Sequence, residues 1–188
     1  ARIDAIRERI DRLELDPVLE AVALVSLMEA ADRVDSTTGV QMAYLKEWAP
    51  RSLKDLELRM PRLLPGPGEA HRLEATEAAG RLVADVTYLD PPYNRHSYYS
   101  NYHIWETLVR WDRPEPYGVA CKRTDCKEYS SPFNSSLRCK EALADVVNRC
   151  ASPCLVVSFS NEGHIDRRTM EDILAVRGDV RHIAIEQK

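Results

Sequence analysis

The chain has 188 residues, of which 44% are hydrophobic and 30% charged, and its net charge is −4. These proportions exclude a disordered, collagen-like or low-complexity chain. The longest apolar stretch, residues 21–28, is far shorter than the roughly 20 residues that cross a bilayer, so we expect no membrane association. The negative charge disfavours a general nucleic-acid binder but leaves room for a local basic face.

Apolar residues recur at steps of three and four near the start of the chain: Ile3, Ile6, Ile10 and Leu13. This spacing predicts an amphipathic helix whose charged residues, Arg7 among them, face solvent. Pro17 in a first turn, capped by Asp16, predicts a second, well-buried helix that runs to about Val34. A shorter helix is predicted around residues 40–48.

Strands and helices alternate in the second half of the chain. The patterns predict helices over residues 74–82, 103–110, 137–149 and 167–174, and buried strands over 86–89, 154–159 and 180–186. This alternation predicts an α/β fold with a largely parallel sheet. Prolines and glycines in residues 61–68 indicate a linker. We therefore predict a helical region over residues 1–68 and an α/β portion over residues 69–188.

The most informative segment is Asp90-Pro91-Pro92-Tyr93, at the carboxyl end of the predicted strand 86–89. Ligands bind at that edge of open α/β sheets. Two prolines stiffen the loop and free its carbonyls, Asp90 adds a carboxylate, and Tyr93 adds a flat face. These groups suit a nucleobase amine, which would donate to Asp90 and the Pro91 carbonyl while its base, flipped out of the duplex, stacks on Tyr93. The alternative is a proline-rich turn capped by Asp90.

The sequence resembles the adenine-specific (N6) DNA methyltransferases of the Asp-Pro-Pro-Tyr type, which use S-adenosylmethionine. Besides the tetrapeptide, the resemblance rests on segments 2–7, 29–34, 44–46, 56–59, 101–103, 106–107, 110–112, 131–134 and 157–163. It implies a partial Rossmann-like class I methyltransferase core, over residues 69–188, with a helical N-terminal subdomain for target recognition. It also implies that Asp90, Pro91, Pro92 and Tyr93 are catalytic, acting on adenine N6 in double-stranded DNA at a specific site, as in restriction-modification.

One departure from the family concerns the cofactor. The family has a Phe-x-Gly loop before its catalytic motif, and nothing before Asp90 matches it. The chain therefore resembles the later two-thirds of such an enzyme, and a missing N-terminal segment or a partner chain would carry the loop. Glu74 and Asp90 are the cofactor-binding candidates, although Glu74 fits a helix-capping or surface role equally well. The chemistry needs no metal.

Residues 93–127 carry six basic and four acidic side chains with interleaved aromatic residues, which suits phosphate contacts and base stacking. The candidate DNA-binding residues are Arg95, Tyr98, Asn101, Lys122 and Arg123. Trp105 and Trp111 are expected in the core. If the strands run parallel, Ser160 to Gly163 would reach the same sheet edge as Asp90, or form a simple turn in which Gly163 takes a positive φ.

The cysteines and the remaining functional alternatives are less specific. Five cysteines without an export signal favour a reducing, cytoplasmic location. Their loose spacings favour small buried hydrophobic residues over zinc ligands.

Two alternatives to a DNA adenine methyltransferase stay open. One is methylation of a base in RNA, and the other is a non-catalytic DNA-recognition part of a split methyltransferase.

Overall fold

A computed structural model describes residues 1–41, 43 and 45–185. Its helices are, in chain order, α1 (Arg2–Arg12), α2 (Pro17–Arg33), α3 (Ala75–Arg81), α4 (Tyr98–Asn101), α5 (His103–Arg110), α6 (Cys139–Arg149) and α7 (Arg167–Ala175). The strands are β1 (Val86–Leu89), β2 (Pro116–Tyr117), β3 (Lys122–Arg123) and β4 (Cys154–Val157), and short 3-10 turns cover Pro50–Leu53, Thr124–Lys127 and Pro132–Asn134.

These elements form two compact units. Residues 1–67 and 98–129 form the helical unit, and residues 68–97 with the described residues from 130 onward form the α/β unit. These units differ from the predicted regions 1–68 and 69–188 in one segment, because residues 98–129 pack with the N-terminal helices. No helix among the described residues is long and apolar enough to span a membrane.

The first two helices of the helical unit are confirmed in position, but α2 is not well buried as predicted. Its buried residues are only Ser26, Leu27, Ala30 and Ala31, and Val18 is 70% exposed. Asp16 caps α2, because its carboxylate accepts hydrogen bonds from the main-chain N–H groups of Val18 (3.1 Å) and Leu19 (3.2 Å). Ile10, Leu27 and Leu108 form the buried centre of the unit, and Trp105 and Trp111 pack against it as expected.

Arg7 does not lie on a solvent face as predicted. Its side chain is 3% exposed, and its guanidinium donates to the carbonyls of Leu108 (2.7 Å) and Val109 (3.1 Å) at the end of α5. The guanidinium also lies 5.4 Å from the centre of the Trp111 ring. A cation at the carboxyl end of a helix satisfies carbonyls that lack a partner within the helix. The charge is thus buried because it caps a helix distant in sequence.

The predicted helix over 40–48 is wrong for its described residues; Met42 and Tyr44 lie outside them. Neighbouring main-chain groups instead make turn and loop hydrogen bonds. The Thr38 N–H donates to the Ala43 carbonyl (2.9 Å), and the Gln41 N–H donates to the Asn101 carbonyl (2.8 Å). The apolar spacing of this segment therefore does not produce a helix, because its main-chain groups form hydrogen bonds with residues outside it.

The α/β unit is built on the parallel pair β1–β4, in which Val86 lies opposite Cys154 and Leu89 opposite Val157. The predicted helices of this unit are confirmed as α3, α6 and α7. Helix α6 contributes much of a core that also contains Phe133, Ile165 and Met170. The α/β class and the parallel pairing are therefore as predicted.

Three details of the sheet differ from prediction. The strand predicted over residues 154–159 ends at Val157. The strands are not buried on both faces, because Leu89, Leu155 and Val157 pack against the core while the alternate residues are exposed. The predicted third strand over 180–186 is wrong for residues 180–185, which have no strand pairing in the described structure; Glu186 lies outside the described residues. A strand needs a ladder partner, and apolar composition alone does not provide one.

Candidate active site

The Asp90-Pro91-Pro92-Tyr93 tetrapeptide and the second predicted loop, Ser160 to Gly163, leave the sheet at one edge. Because β1 and β4 are parallel, both chains emerge from their carboxyl ends together. The Ser158 N–H donates to the Leu89 carbonyl at 2.9 Å, which holds the two exits side by side. The expectation that Ser160 to Gly163 reach the edge that carries Asp90 is therefore confirmed.

The tetrapeptide combines an exposed acid with an anchored ring. Asp90 is exposed, Pro91 is buried and Tyr93 is half-buried. The Tyr93 ring meets Phe159 edge-to-face, with centroids 6.3 Å apart and an angle of 74° between the rings. The Tyr93 carbonyl accepts a hydrogen bond from the His164 N–H at 2.8 Å. The loop after β4 thus fixes the end of the tetrapeptide, while the Asp90 carboxylate faces solvent.

The segment after Tyr93 forms a turn closed by Asn134, a residue that the predicted site did not include. The Asn134 amide donates to the carbonyls of Asn94 (2.8 Å) and His96 (2.9 Å). The Asn94 side-chain oxygen in turn accepts from the His96 N–H at 2.9 Å. Segment 131–134, one of the segments that carry the family resemblance, includes Asn134. Sequence alone does not reveal that this residue contacts a turn 40 residues away.

Gly163 has a different requirement from the one predicted. Its φ is not positive; instead, a Cβ atom would lie 2.3 Å from Cε1 and 2.8 Å from Cζ of Phe159. Glycine therefore allows the main chain to approach the ring that supports Tyr93. The local sequence predicts the turn but not this close contact.

The Gly163→Ala variant is expected to lower the free energy of unfolding by about 1–3 kcal/mol, because the methyl group displaces the Phe159 ring. Gly80→Ala is the matched control, since a Cβ atom at Gly80 in α3 meets nothing within 4 Å. That variant should gain roughly 0.5–1 kcal/mol from the helix preference of alanine. Urea unfolding followed by circular dichroism measures both, and parental stability in Gly163→Ala would contradict the close approach.

Glu74 and the described glycines bear on the proposed cofactor. Glu74 is exposed at the N-terminus of α3, and its side chain makes no capping hydrogen bond. A Cβ atom at Gly66, Gly68 or Gly80 would meet no atom within 4 Å, so none of these glycines lies in a tight cradle. Among the described residues, no glycine before Asp90 therefore forms a close cradle for a cofactor.

The other predicted DNA-binding residues divide by exposure. Arg95 is exposed in the α/β unit. In the helical unit Tyr98 is 45% exposed, whereas Asn101 is half-buried and its carbonyl accepts from Gln41. The ammonium of Lys122 lies 5.3 Å from the centre of the Tyr117 ring. A second ammonium, that of Lys127, lies 4.2 Å from the same ring and was absent from the predicted set.

Arg123 is a correction to the predicted DNA-binding set. It is 2% exposed and donates to both oxygens of Asp112, each at 2.7 Å, and to Asp125 at 2.9 Å. These hydrogen bonds lower the pKa of Asp112 and bring the pKa of Asp125 to about 2. A guanidinium held in this way stabilises the helical unit and has no exposed face for a phosphate.

The cysteines are free thiols, and the prediction that they are buried is wrong for Cys121 and Cys154, which are exposed. Cys126, Cys139 and Cys150 are buried, and burial raises the pKa of Cys126 and Cys150. Within the described ranges, no cluster of three His, Cys, Asp or Glu side chains could hold a metal ion.

The α/β unit thus presents the exposed Asp90 carboxylate, next to two prolines, and the Tyr93 ring at the carboxyl end of a parallel strand. The chain belongs to the D12 class N6 adenine-specific DNA methyltransferase family, whose model matches residues 2–154. This match begins with α1, includes β1 and the tetrapeptide, and ends at the first residue of β4.

Several curated relatives are similar over most of the chain. Modification methylase StsI of Streptococcus sanguinis is 32% identical over 179 residues, which are 92% of this chain and 27% of the relative. Type II methyltransferase M.FokI of Planomicrobium okeanokoites is 30% identical over 189 residues (95% and 28%). M.NlaIII of Neisseria lactamica is 29% identical over 170 residues (86% and 49%). The chain thus spans about a quarter to a half of these relatives. No solved structure matches it.

Proposed function

We propose that this chain is the part of a DNA methyltransferase that holds a target adenine and promotes methylation of its N6 amine. The observation that carries the proposal is the Asp90-Pro91-Pro92-Tyr93 segment at the carboxyl end of a parallel strand, with Tyr93 anchored by the loop after β4. Family membership supports the same activity. The relatives named as modification or type II methylases favour a site-specific enzyme of restriction-modification type.

The chemistry of the proposed site follows from the amine. The N6 lone pair of adenine is delocalised into the ring, which makes it a poor nucleophile. Hydrogen bonds from the amine to the Asp90 carboxylate and the Pro91 carbonyl would draw that lone pair toward a tetrahedral geometry. The same acceptors stabilise the positive charge on nitrogen in the transition state. Water can accept the proton that the nitrogen then releases, and no covalent enzyme intermediate is needed.

The proposed cofactor is S-adenosylmethionine, which would supply an electrophilic methyl group. Because the described residues form no loop for it, we assign its main binding loop to an N-terminal segment or a partner chain. Such a segment would also extend the β1–β4 pair into a Rossmann-like class I sheet. Glu74 and Asp90 stay as candidate contacts from this chain.

The proposed substrate is double-stranded DNA with the target adenine flipped onto Tyr93. We assign target recognition to the N-terminal helices, and contacts with DNA to Arg95, Tyr98, Asn101 and Lys122. The exposed Arg95 follows the tetrapeptide directly, and arginine suits phosphate geometry. The free thiols favour a reducing compartment, and we propose the cytoplasm.

The decisive experiment is methyl transfer by the full-length protein from labelled S-adenosylmethionine to mixed-sequence duplex DNA. The nucleosides of the product are resolved by mass spectrometry, with matched RNA duplexes in parallel. N6-methyladenine in DNA is the expected product. N4-methylcytosine would contradict the assigned base, a product in RNA alone would contradict the assigned polymer, and no product would contradict the activity.

A second candidate function, that of a non-catalytic DNA-recognition part, is favoured by the lack of a cofactor loop among the described residues. Thermal stability distinguishes the two. A ligand at 100 times its Kd stabilises a folded protein by about 2.7 kcal/mol. The full-length protein should therefore melt at a higher temperature with S-adenosylmethionine than without it, whereas a recognition part should show no shift.

A further inference from the structure

Asn134 links two separate parts of the α/β unit through its side chain alone. Its amide nitrogen donates one hydrogen bond to the Asn94 carbonyl at 2.8 Å and a second to the His96 carbonyl at 2.9 Å. These two carbonyls flank Arg95. The single NH₂ group therefore closes the turn that immediately follows the catalytic tetrapeptide.

The chemistry of this contact requires an amide. Both partners are main-chain carbonyls and can only accept, so the side chain must present its NH₂ group rather than its oxygen. Asparagine offers two donors on that nitrogen. Aspartate offers none and would set a negative charge against two carbonyl oxygens, and leucine has a similar size without any donor.

Asn134 is itself held by the core. It ends the 3-10 turn Pro132–Asn134, in which the Ser131 hydroxyl accepts from the Phe133 N–H at 3.3 Å. The Phe133 ring is buried in the cluster built around α6. The amide therefore extends from a segment that is packed into the core, and its two hydrogen bonds hold the turn against that segment.

The turn is restrained from two further directions. The Asn94 side-chain oxygen accepts from the His96 N–H at 2.9 Å, and the His164 N–H holds the Tyr93 carbonyl at 2.8 Å. Between these fixed points the Arg95 side chain is exposed. The main chain on both sides of Arg95 is thus held by hydrogen bonds, while the Arg95 guanidinium is exposed to solvent.

We propose that Asn134 is a positioning residue that fixes the turn 94–96 and so presents Arg95 to a phosphate next to the target adenine. The inference rests on the proposed function, because it assigns the ligand of Arg95 as DNA. Asn134 does not touch the substrate, and its effect passes through the turn. Arginine fits this role because its guanidinium pairs with phosphate oxygens in a bidentate manner.

The first test measures methyl transfer with full-length protein in excess over DNA and at a saturating concentration, so that the observed rate is that of the bound complex. Asn134→Leu and Asn134→Asp are expected to lower this rate by about 10- to 100-fold, the loss that follows misplacement near a reacting group. Asn148→Leu and Asn148→Asp are the matched controls, because Asn148 is exposed near the end of α6. They should stay within about twofold of the parent, as surface substitutions do. Parental rates in both Asn134 variants would overturn the proposal.

The second test asks whether Asn134 acts through Arg95. The dependence of log Kd for duplex DNA on log salt reports the number of phosphates neutralised. Arg95→Ala should reduce the slope by about one, and Asn134→Leu should reduce it in the same direction. The double variant should behave as Arg95→Ala alone, because residues that share one contact are not additive. An unchanged slope in Asn134→Leu, or fully additive effects, would overturn the proposal.

The two tests separate this inference from the function on which it rests. If the parent protein transfers no methyl group to DNA, the proposed activity fails. The salt dependence of DNA binding then decides the role of Asn134 without any catalytic readout. If the parent methylates DNA and the Asn134 variants match it in rate and slope, only the positioning role fails.

Discussion

The Asp90→Ala variant is expected to lose methyl transfer by about 1000-fold while it folds as the parent does. The carboxylate is an exposed acceptor at the end of β1, so its removal leaves no buried partner unsatisfied. In the transition state, however, it would face a nitrogen that gains positive charge. Removal of one preorganised hydrogen-bonding group of this kind costs roughly 100- to 1000-fold, and the negative charge on Asp90 favours the upper end.

Asp85→Ala is the matched control for Asp90. Asp85 is also an exposed aspartate, but it precedes β1 and so lies at the opposite end of the same strand. Single-turnover methyl transfer should stay within about twofold of the parent in Asp85→Ala, in line with other surface substitutions. If Asp90→Ala retains more than about a tenth of the parental rate, Asp90 does not hold the amine in the way proposed.

The parts of the fold that the sequence predicts well are those whose causes are local. Helix α2 begins at Pro17 because Asp16 caps it, and α5 spans the predicted residues 103–110. The strand β1 likewise covers the predicted residues 86–89, where apolar residues end at the two prolines. Apolar periodicity, helix capping and proline act over one or two helical turns, so their effects can be predicted without knowledge of the fold.

The parts that the sequence does not predict depend on distant partners. Arg7 is buried because the end of α5 accepts its hydrogen bonds, and Arg123 is buried because Asp112 and Asp125 neutralise it. The same holds in the candidate site. The tetrapeptide could be recognised and placed at a strand end, but Asn134 and the approach of Gly163 to Phe159 come from three-dimensional contacts. A charged side chain therefore predicts a surface position only where no other part of the chain covers it.

Loss of the Arg123 charge is expected to destabilise the helical unit strongly. The Arg123→Met variant keeps much of the side-chain length but leaves Asp112 and Asp125 without their main partner. Removing one member of a buried ion pair costs about 3–5 kcal/mol, and we expect about 3 kcal/mol because the two carboxylates are 29% and 34% exposed. Arg110, which also pairs with both carboxylates, limits the loss further.

Lys127→Met is the matched control, because it removes a positive charge from an exposed position in the same segment. Its ammonium lies over Tyr117, so the loss should be about 0.5–1 kcal/mol. All three tryptophans of the chain, Trp48, Trp105 and Trp111, lie in the helical unit. Urea unfolding followed by tryptophan fluorescence therefore reports on the unit that contains Arg123. Equal losses in the two variants would mean that Arg123 contributes no more than a surface charge.

The pH dependence of stability provides an independent check of the same ion pairs. Arg123 lowers the pKa of Asp112, and it lowers that of Asp125 from 3.8 to about 2. A lowered folded-state pKa stabilises the protein above the unfolded value, and this stability is lost as the pH falls through the folded value. The parent should therefore lose stability between pH 3.8 and about 2 as these carboxylates take up protons. In Arg123→Met that part of the loss should shrink, because the folded-state pKa of each carboxyl then lies closer to its unfolded value. An identical acid profile in both proteins would show that Arg123 does not hold these two groups.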